Sequence, residues 1–177
     1  MRKLQIIGLS ALAAIAIACG AADDDGTAGS GGSGGSGSGS EGNQAAAGIG
    51  DPVRDGQFEF VVDEVTCGVS EVGDDLLGAQ AQGQFCLVTV SVRNIGDEPR
   101  TFSDSNQKAF DADGNELGAD STAGLYANDH ADALFTDINP GNDITAVIVF
   151  DIPRDGELAR LRLHDSPFSG GVEVSLG

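Results

Sequence analysis

Residues 83–94 read GQFCLVTVSVRN, and the run alternates between two sets of side chains. A period of two residues is typical of a β-strand, because successive side chains of a strand point to opposite faces of its sheet. β-Branched and aromatic residues, which favour strands, are common in the run. One face would carry Cys86, Val88, Val90 and Val92, and the other Phe85, Leu87, Thr89 and Ser91. The run therefore predicts a strand with an apolar face directed at a core.

The same alternation recurs in four other segments, and runs of Gly, Pro, Asp and Asn that favour turns lie between them. The segments are GQFEFVVDEVTC (56–67), DITAVIVFDIP (143–153), LARLRLHD (158–165) and GVEVSLG (171–177). No segment keeps an apolar face at helical spacing for three turns, and GDDLLGAQAQGQ (73–84) would hold one helical turn at most. We therefore predict an all-β fold, an antiparallel immunoglobulin-like β-sandwich of about 7–8 strands, with a small open barrel as the alternative.

The N-terminal residues have the features of an export signal. Arg2 and Lys3 precede an apolar run that is too short for a membrane span, which takes about 20 residues. The run ends in AIAC (16–19), which resembles a bacterial lipobox, where a peptidase cleaves before the cysteine and the thiol carries a lipid. We therefore predict a lipoprotein signal peptide at 1–18 and lipidation of Cys19. The alternative is an ordinary secretory signal with an incidental cysteine.

The segment after Cys19 has the composition of a flexible linker. GTAGSGGSGGSGSGSEG (26–42) contains no apolar residue large enough to build a core. We expect a disordered, acidic, Gly/Ser-rich linker at 19–51 and one β-sandwich domain at 52–177. A lipid on Cys19 would attach this domain to a membrane of the bacterial cell envelope, facing outside the cytoplasm.

The chain is strongly acidic, with 28 Asp and Glu against nine Lys and Arg and a formal net charge of −19. Such a field repels phosphates, so nucleic acid is excluded as the expected partner. The acidity has two interpretations, a solvated surface such as that of secreted proteins from salt-tolerant organisms, or a surface that binds cations or a basic partner.

The chain has three cysteines, and lipidation of Cys19 would leave two. An exported chain meets an oxidising compartment, so we predict a disulfide between Cys67 and Cys86. The bridge would close a loop of about 19 residues, contribute roughly 3 kcal/mol and pin GVSEVGDDLLGAQAQGQ (68–84) as a loop. The alternative, a zinc site, is disfavoured because no histidine lies near these two cysteines in the sequence.

Several motifs in fixed order resemble a bacterial domain family of unknown function. They are the V-x-V-x-V-x-N strand at 88–94, the D-x-D-G turn at 111–114, Pro140 with Gly141, and Val149, Phe150, Asp151 and Pro153. The family consists of telokin-like, immunoglobulin-fold domains on lipoproteins and secreted proteins, including a small secreted mycobacterial antigen. The resemblance covers 57–165 and implies a fold and a location. The family has no settled activity, so no catalytic residue is implied.

Asp111, Asp113 and Asn115 in DADGNE (111–116) place oxygen-bearing side chains at every second position. Calcium prefers such ligands, so these residues are candidates for a cation site. The alternative is a hairpin turn, which Asp-Gly and Gly-Asn favour. The EF-hand pattern fails, because its sixth position is not glycine here and its twelfth position is Thr122.

The segment LYANDHADALFTD (125–137) gathers one histidine and several carboxylates. Such a set could ligate a metal or supply a base, but no second ligand motif accompanies it, and a connecting loop is the alternative. The titratable residues are Asp129, His130, Asp132 and Asp137. The expected packing anchors of the loop are Leu125, Tyr126, Leu134 and Phe135.

We find no nucleophile elbow, zinc helix or phosphate loop in the sequence and expect no catalysis. The sequence favours a surface-tethered lipoprotein with a β-sandwich domain that binds an unknown envelope or extracellular protein. The alternative is a carrier of cations or small molecules at the envelope.

Overall fold

The structure is a computed structural model that describes residues 46–74, 76–128, 134–135 and 137–177. The described residues form strands, one α-helix and one 3₁₀ turn. The strands are β1 (Pro52–Asp55), β2 (Phe58–Gly73), β3 (Gly78–Asn94), β4 (Arg100–Thr101), β5 (Lys108–Asp111), β6 (Glu116–Gly118), β7 (Asp137–Ile138), β8 (Asp143–Ile152), β9 (Leu158–Leu163) and β10 (Val172–Ser175). The helix α1 is Ser121–Ala127 and the 3₁₀ turn is Asp104–Asn106.

Two four-stranded antiparallel sheets make up the fold. The first has the order β1-β2-β3-β8 and the second the order β10-β9-β5-β6, while β4 and β7 form a separate pair. The inner faces of both sheets share one core, as expected for a sandwich. The prediction of an antiparallel immunoglobulin-like β-sandwich is therefore confirmed.

The main core is built from the apolar faces that the alternation predicted. The first sheet contributes Phe58, Phe60, Val62, Cys86, Val88, Val90, Val92, Ala146, Ile148, Phe150 and Ile152, and the second contributes Ala109, Leu158, Leu161, Leu163 and Val174. Phe58, Phe60 and Phe102 contact one another edge-on or tilted, with ring centres 5.8–6.5 Å apart. Such pairs contribute about 0.5–1.5 kcal/mol beyond the area that they bury.

The opposite face of the first sheet carries a second cluster of buried residues. This outer cluster consists of Val72, Phe85, Ala123 and Val149, with Tyr126 and other half-buried apolar residues packed against it. Ala123 and Tyr126 belong to α1, so the short helix covers this face of the sheet. Strand β3 is consequently buried on its outer face at Phe85 as well as along its inner face.

Helix α1 also closes the open edge of β8. The Asp120 N–H donates to the Val149 carbonyl at 2.7 Å. The Asn128 side chain accepts from the Val147 N–H at 2.8 Å and donates to the Val147 carbonyl at 2.9 Å, as a neighbouring strand would. The Asp120 side chain also accepts from the Ala123 N–H at the start of the helix. These bonds satisfy part of a strand edge that could otherwise pair with another chain.

The expectation of a loop with four anchors between residues 125 and 137 is only partly correct. Leu134 is buried in the main core and Tyr126 packs on the outer cluster. Leu125 and Phe135 are exposed, so they are not anchors. The physical reason for Leu125 is helical spacing, because Ala123, Tyr126 and Ala127 point to the sheet and Leu125 therefore points away.

Asn94, the last residue of the V-x-V-x-V-x-N strand, joins two loops at the end of β3. Its side chain is fully buried, donates to the carbonyls of Glu98 and Ile138 at 2.7 Å each, and accepts from the Gly96 N–H at 2.8 Å. Its backbone carbonyl accepts from the Gly141 N–H at 2.9 Å. Asn94 therefore connects two motifs of the family resemblance, the V-x-V-x-V-x-N strand and the Pro-Gly turn.

Cys67 and Cys86 are joined by a disulfide between β2 and β3, which agrees with the pairing expected for an exported chain. The expectation that the bridge pins a loop at 68–84 is wrong. Both strands continue past the bridge, β2 to Gly73 and β3 back to Gly78. The bridge lies beside an irregularity in the strand pairing, since Thr66 faces Leu87 and Val69 faces Phe85. It fixes the pairing where the ladder is interrupted.

Asn94→Ala should destabilise the domain by about 3 kcal/mol, because it leaves buried backbone groups without partners. The matched control is Asn142→Ala, since Asn142 is exposed and its hydrogen bonds to Asn94 and Asn139 use backbone atoms. Urea unfolding monitored by circular dichroism measures both variants. Equal stabilities of the two variants would contradict the role assigned to Asn94.

Removing the disulfide by Cys67→Ala with Cys86→Ala should lower the free energy of unfolding by about 3 kcal/mol, because the bridge closes a loop of about 19 residues. Wild-type protein unfolded in the presence of a reductant should lose the same amount, and the double variant should not respond to the reductant. A reductant-insensitive wild type would contradict the assignment.

Candidate binding site at the hairpin tip

Beyond the disulfide, β2 and β3 form a projection that we call the hairpin arm (69–74 and 76–83). Strand β8 ends at Ile152, opposite Gln84, so the arm extends past the end of its neighbour in the sheet. The outer cluster lies under one face of the arm, where Val72 is buried and Ala79 and Ala81 are half-buried against α1 and β8. The other face of the arm is exposed.

Hydrogen bonds from the end of β8 hold the base of the arm. The Asp151 carboxylate accepts from the N–H groups of Gln82 and Gly83 at 2.7 and 3.1 Å. The Gln84 side chain donates to the carbonyls of Pro153 and Gly156 at 3.0 Å each. Only glycine fits at position 83, because a Cβ there would clash with the Ile152 carbonyl oxygen. The arm is therefore fixed to the sandwich at its base as well as along one face.

The tip of the arm is a turn that the Asp74 side chain organises. One carboxylate oxygen accepts from the N–H groups of Leu76 and Leu77 at 2.8 Å each, and the Asp74 N–H donates to the Leu77 carbonyl at 2.9 Å. Gly73 adopts a φ of 102°, which disfavours other residues. The bond from the Leu77 N–H, followed by that from Leu76, holds the pKa of Asp74 below its usual value. The turn therefore favours the charged form of its carboxylate.

This turn exposes two leucine side chains to solvent. Leu76 is 91% exposed and Leu77 is 65% exposed. The surrounding groups are polar and include the exposed Glu71 and Gln80. A shallow depression of about 480 Å³ lies beside Leu76 along the arm. The two leucines form an exposed apolar surface at the tip of an ordered arm, and another molecule can cover this surface.

The candidate cation residues Asp111 and Asn115 lie in the turn between β5 and β6. Both carboxylate oxygens of Asp111 accept from Asn115, one from its backbone N–H and one from its side chain, each at 2.8 Å. These bonds, that of the side chain first, hold the pKa of Asp111 below its usual value. Asp113 is exposed in the same turn, and Gly114 has a φ of 86°. The geometry is that of a hairpin turn, and a cation at this turn stays a prediction.

The other titratable candidates do not meet in the described structure. Cys19, Asp129, His130 and Asp132 lie outside the described residues. Asp137 lies in β7 and accepts a hydrogen bond from the Thr101 hydroxyl. Among the described residues, no group of three His, Cys, Asp or Glu side chains is placed to hold a metal ion. The part of the chain that the structure describes also contains no helix with the length and apolar character that a membrane crossing requires.

The sequence contained a signal for the arm that the assignment of a loop at 68–84 missed. Ala79 and Ala81 alternate with Gln80, Gln82 and Gln84, which is a strand period. Alanine and glutamine do not favour strands, and two adjacent aspartates and several glycines favour a loop instead. Tertiary contacts with α1 and Asp151 outweigh these local preferences.

Comparisons with known proteins agree with this architecture. The yjhA protein from Bacillus subtilis has a similar solved structure, with a TM-score of 0.55, 14% identity and coverage of 74% of this chain and 99% of that one. MPT63, a secreted protein from Mycobacterium tuberculosis, has a TM-score of 0.52, 14% identity and coverage of 74% and 95%. No curated protein matches the chain. At this identity, the structural matches show a shared fold.

The family comparison covers nearly all of the described residues. Residues 47–174 match the family model described as a domain of unknown function, DUF4352. The match includes both sheets, α1, the disulfide and the hairpin arm. The chain therefore belongs to the DUF4352 family of β-sandwich domains of unknown function.

Proposed function

We propose that the protein is a lipoprotein of the bacterial cell envelope whose β-sandwich binds a partner protein outside the cytoplasm through the hairpin tip. A lipid on Cys19 would hold the domain at the membrane, and the linker at 19–51 would let it reach its partner. The resemblance of AIAC (16–19) to a lipobox supports the anchor. A disulfide is typical of proteins outside the cytoplasm, and the similar MPT63 is described as secreted.

The main support for a binding role is that Leu76 and Leu77 are exposed at the tip of an arm that is fixed to the sandwich. Burial of a leucine side chain at an interface contributes about 1.5–3 kcal/mol. The disulfide, Asp151 and α1 already order the arm, so association would not have to order it first.

The net charge of the protein indicates which kind of partner surface the tip would bind. The net charge of −19 favours a partner surface that is not itself strongly acidic. Glu71 and Asp74 lie beside the leucines, so the complementary site is an apolar pocket with basic side chains at its rim. Anchoring in the same envelope would raise the effective concentration of each protein for the other.

Leu76→Ser should weaken binding to the envelope partner by about tenfold or more, because it removes most of the apolar area of one leucine from the interface. The matched control is Phe168→Ser, since Phe168 is 95% exposed in the loop between β9 and β10 and is not part of the arm. Crosslinking of the tethered protein in native envelopes would identify the partner, and titration with that partner would give the dissociation constants. Equal dissociation constants for Leu76→Ser and wild type would refute the tip as the binding site.

Cys19→Ser should release the protein from the membrane fraction of cells that express it with its own leader. Mass spectrometry of wild type should show an acylated N-terminal cysteine at position 19, and the variant should lack this modification. An unmodified wild-type Cys19, or a variant that stays in the membrane fraction, would exclude the lipid anchor while leaving the binding role of the tip testable.

A further inference from the structure

The outward face of the second sheet gathers basic side chains from non-adjacent parts of the chain. Residues that face each other across strands share one face of a sheet. Arg162 of β9 lies opposite Lys108 of β5 and Glu173 of β10, and Arg160 lies opposite Phe110. Glu116 of β6 lies opposite Phe110 on the same side of the sheet. We call this set of six side chains the basic face. It lies on the second sheet, whereas the hairpin arm belongs to the first.

Phe110 orders the two guanidinium groups of the basic face. Its ring is only 5% exposed although it points away from the main core. The guanidinium carbons of Arg160 and Arg162 lie 4.3 and 4.9 Å from the ring centre. Cation–π attraction holds both groups against the ring and limits their conformational freedom. The two guanidinium groups are therefore more ordered than those of typical surface arginines, and their N–H donors are pre-organised.

Two carboxylates of the basic face, Glu116 and Glu173, lie close to its three cations. Glu173 accepts from Arg162 at 2.6 Å and lies 3.6 Å from the Nε atom of Arg160, beyond hydrogen-bond distance. That Nε atom is buried and has no hydrogen-bond partner among the described residues. The Lys108 ammonium lies 3.5 Å from Glu116, which is half exposed. Each guanidinium has five N–H donors, so most of them are left for solvent or a ligand.

The concentration of positive charge is unusual for this chain. The sequence contains nine basic residues, of which Arg2 and Lys3 belong to the predicted signal peptide, and three of the other seven lie on the basic face. Neighbouring positions across two strands are about 5 Å apart, and alternate positions along one strand about 7 Å apart. Because Glu116 and Glu173 offset part of this charge, a compact anion would bind through the arginine N–H donors that these carboxylates leave free.

We propose that the basic face binds a single phosphate group carried by a small soluble molecule. Arginine forks match phosphate oxygens in pairs, and a lysine adds a third point of charge. A long polyanion fits poorly, because its length would extend onto the acidic surface of the rest of the domain and be repelled. The proposal is independent of the hairpin tip and of the lipid on Cys19.

Nuclear magnetic resonance of the full-length protein, labelled with ¹⁵N on arginine, tests the proposal directly. Sodium phosphate would replace sodium chloride at constant ionic strength while the Nε–H signals of Arg160 and Arg162 are followed. We expect saturable shifts of these two signals and none at Arg154, which is exposed in the turn after β8. Shifts that do not saturate, or that are equal at all three arginines, would overturn the proposal.

Matched variants separate a specific site from general charge. Arg162→Gln should weaken phosphate binding by about tenfold, the loss expected for charge-assisted hydrogen bonds. Arg154→Gln removes the same charge elsewhere and should leave the affinity within twofold of wild type. Arg162→Gln loses its contacts with Phe110 and Glu173, so a lower melting temperature is expected for this variant. Both variants should keep the circular dichroism spectrum of wild type, which shows that the fold is intact when phosphate is titrated. Equal weakening in the two variants would overturn the proposal.

Two further ligands distinguish a phosphate on a soluble molecule from a phosphate in a lipid headgroup. Glycerol phosphate and water-soluble dihexanoyl phosphatidic acid carry the same phosphomonoester, and only the second carries acyl chains. The proposal predicts dissociation constants within about threefold of each other, because the cations would contact the phosphate that both ligands share. If dihexanoyl phosphatidic acid bound more than tenfold tighter than glycerol phosphate, the proposal that the phosphate belongs to a soluble molecule would be overturned.

Discussion

Strand β3 is buried along its inner face and at Phe85 on its outer face, and the rest of the described structure depends on that burial. Its inner face forms the main core with Val88, Val90 and Val92, and its outer face places Phe85 in the outer cluster. Strands β2 and β8 pair with its two edges. At one end Asn94 fixes two loops, and at the other the strand runs on into the hairpin arm. A single register of β3 therefore positions the core, the loops and the arm together.

Much of the sandwich could be predicted from the sequence because its strands obey a simple rule. In β2, β3, β8, β9 and β10, the residues that alternate as apolar in the sequence are the ones that enter the main core. Export, inferred from the N-terminal residues, led to the pairing of Cys67 with Cys86 that the structure contains. Helix α1 was missed because seven residues are too few to be stable alone. It is stabilised by packing on β3 and β8, which a local pattern does not reveal.

The hairpin arm and the basic face were not predicted from the sequence, and the reasons differ. The hairpin arm contains weak strand formers and turn residues, so its strands are set by Asp151, α1 and the disulfide. The basic face depends on strand order. The alternation of LARLRL (158–163) placed Arg160 and Arg162 on the outward side, but only the position of β9 between β5 and β10 brings Lys108, Phe110 and Glu173 beside them.

The central claim about function is that the hairpin arm is an ordered support for an exposed tip. Hydrogen–deuterium exchange of the unreduced protein measures this order residue by residue. The account predicts slow exchange of the paired amides in 69–73 and 78–83, within about tenfold of those in the centre of β3, and selective loss of that protection when the Cys67–Cys86 bond is reduced. Exchange of the arm at the rate of an unstructured chain in the oxidised protein would contradict the account.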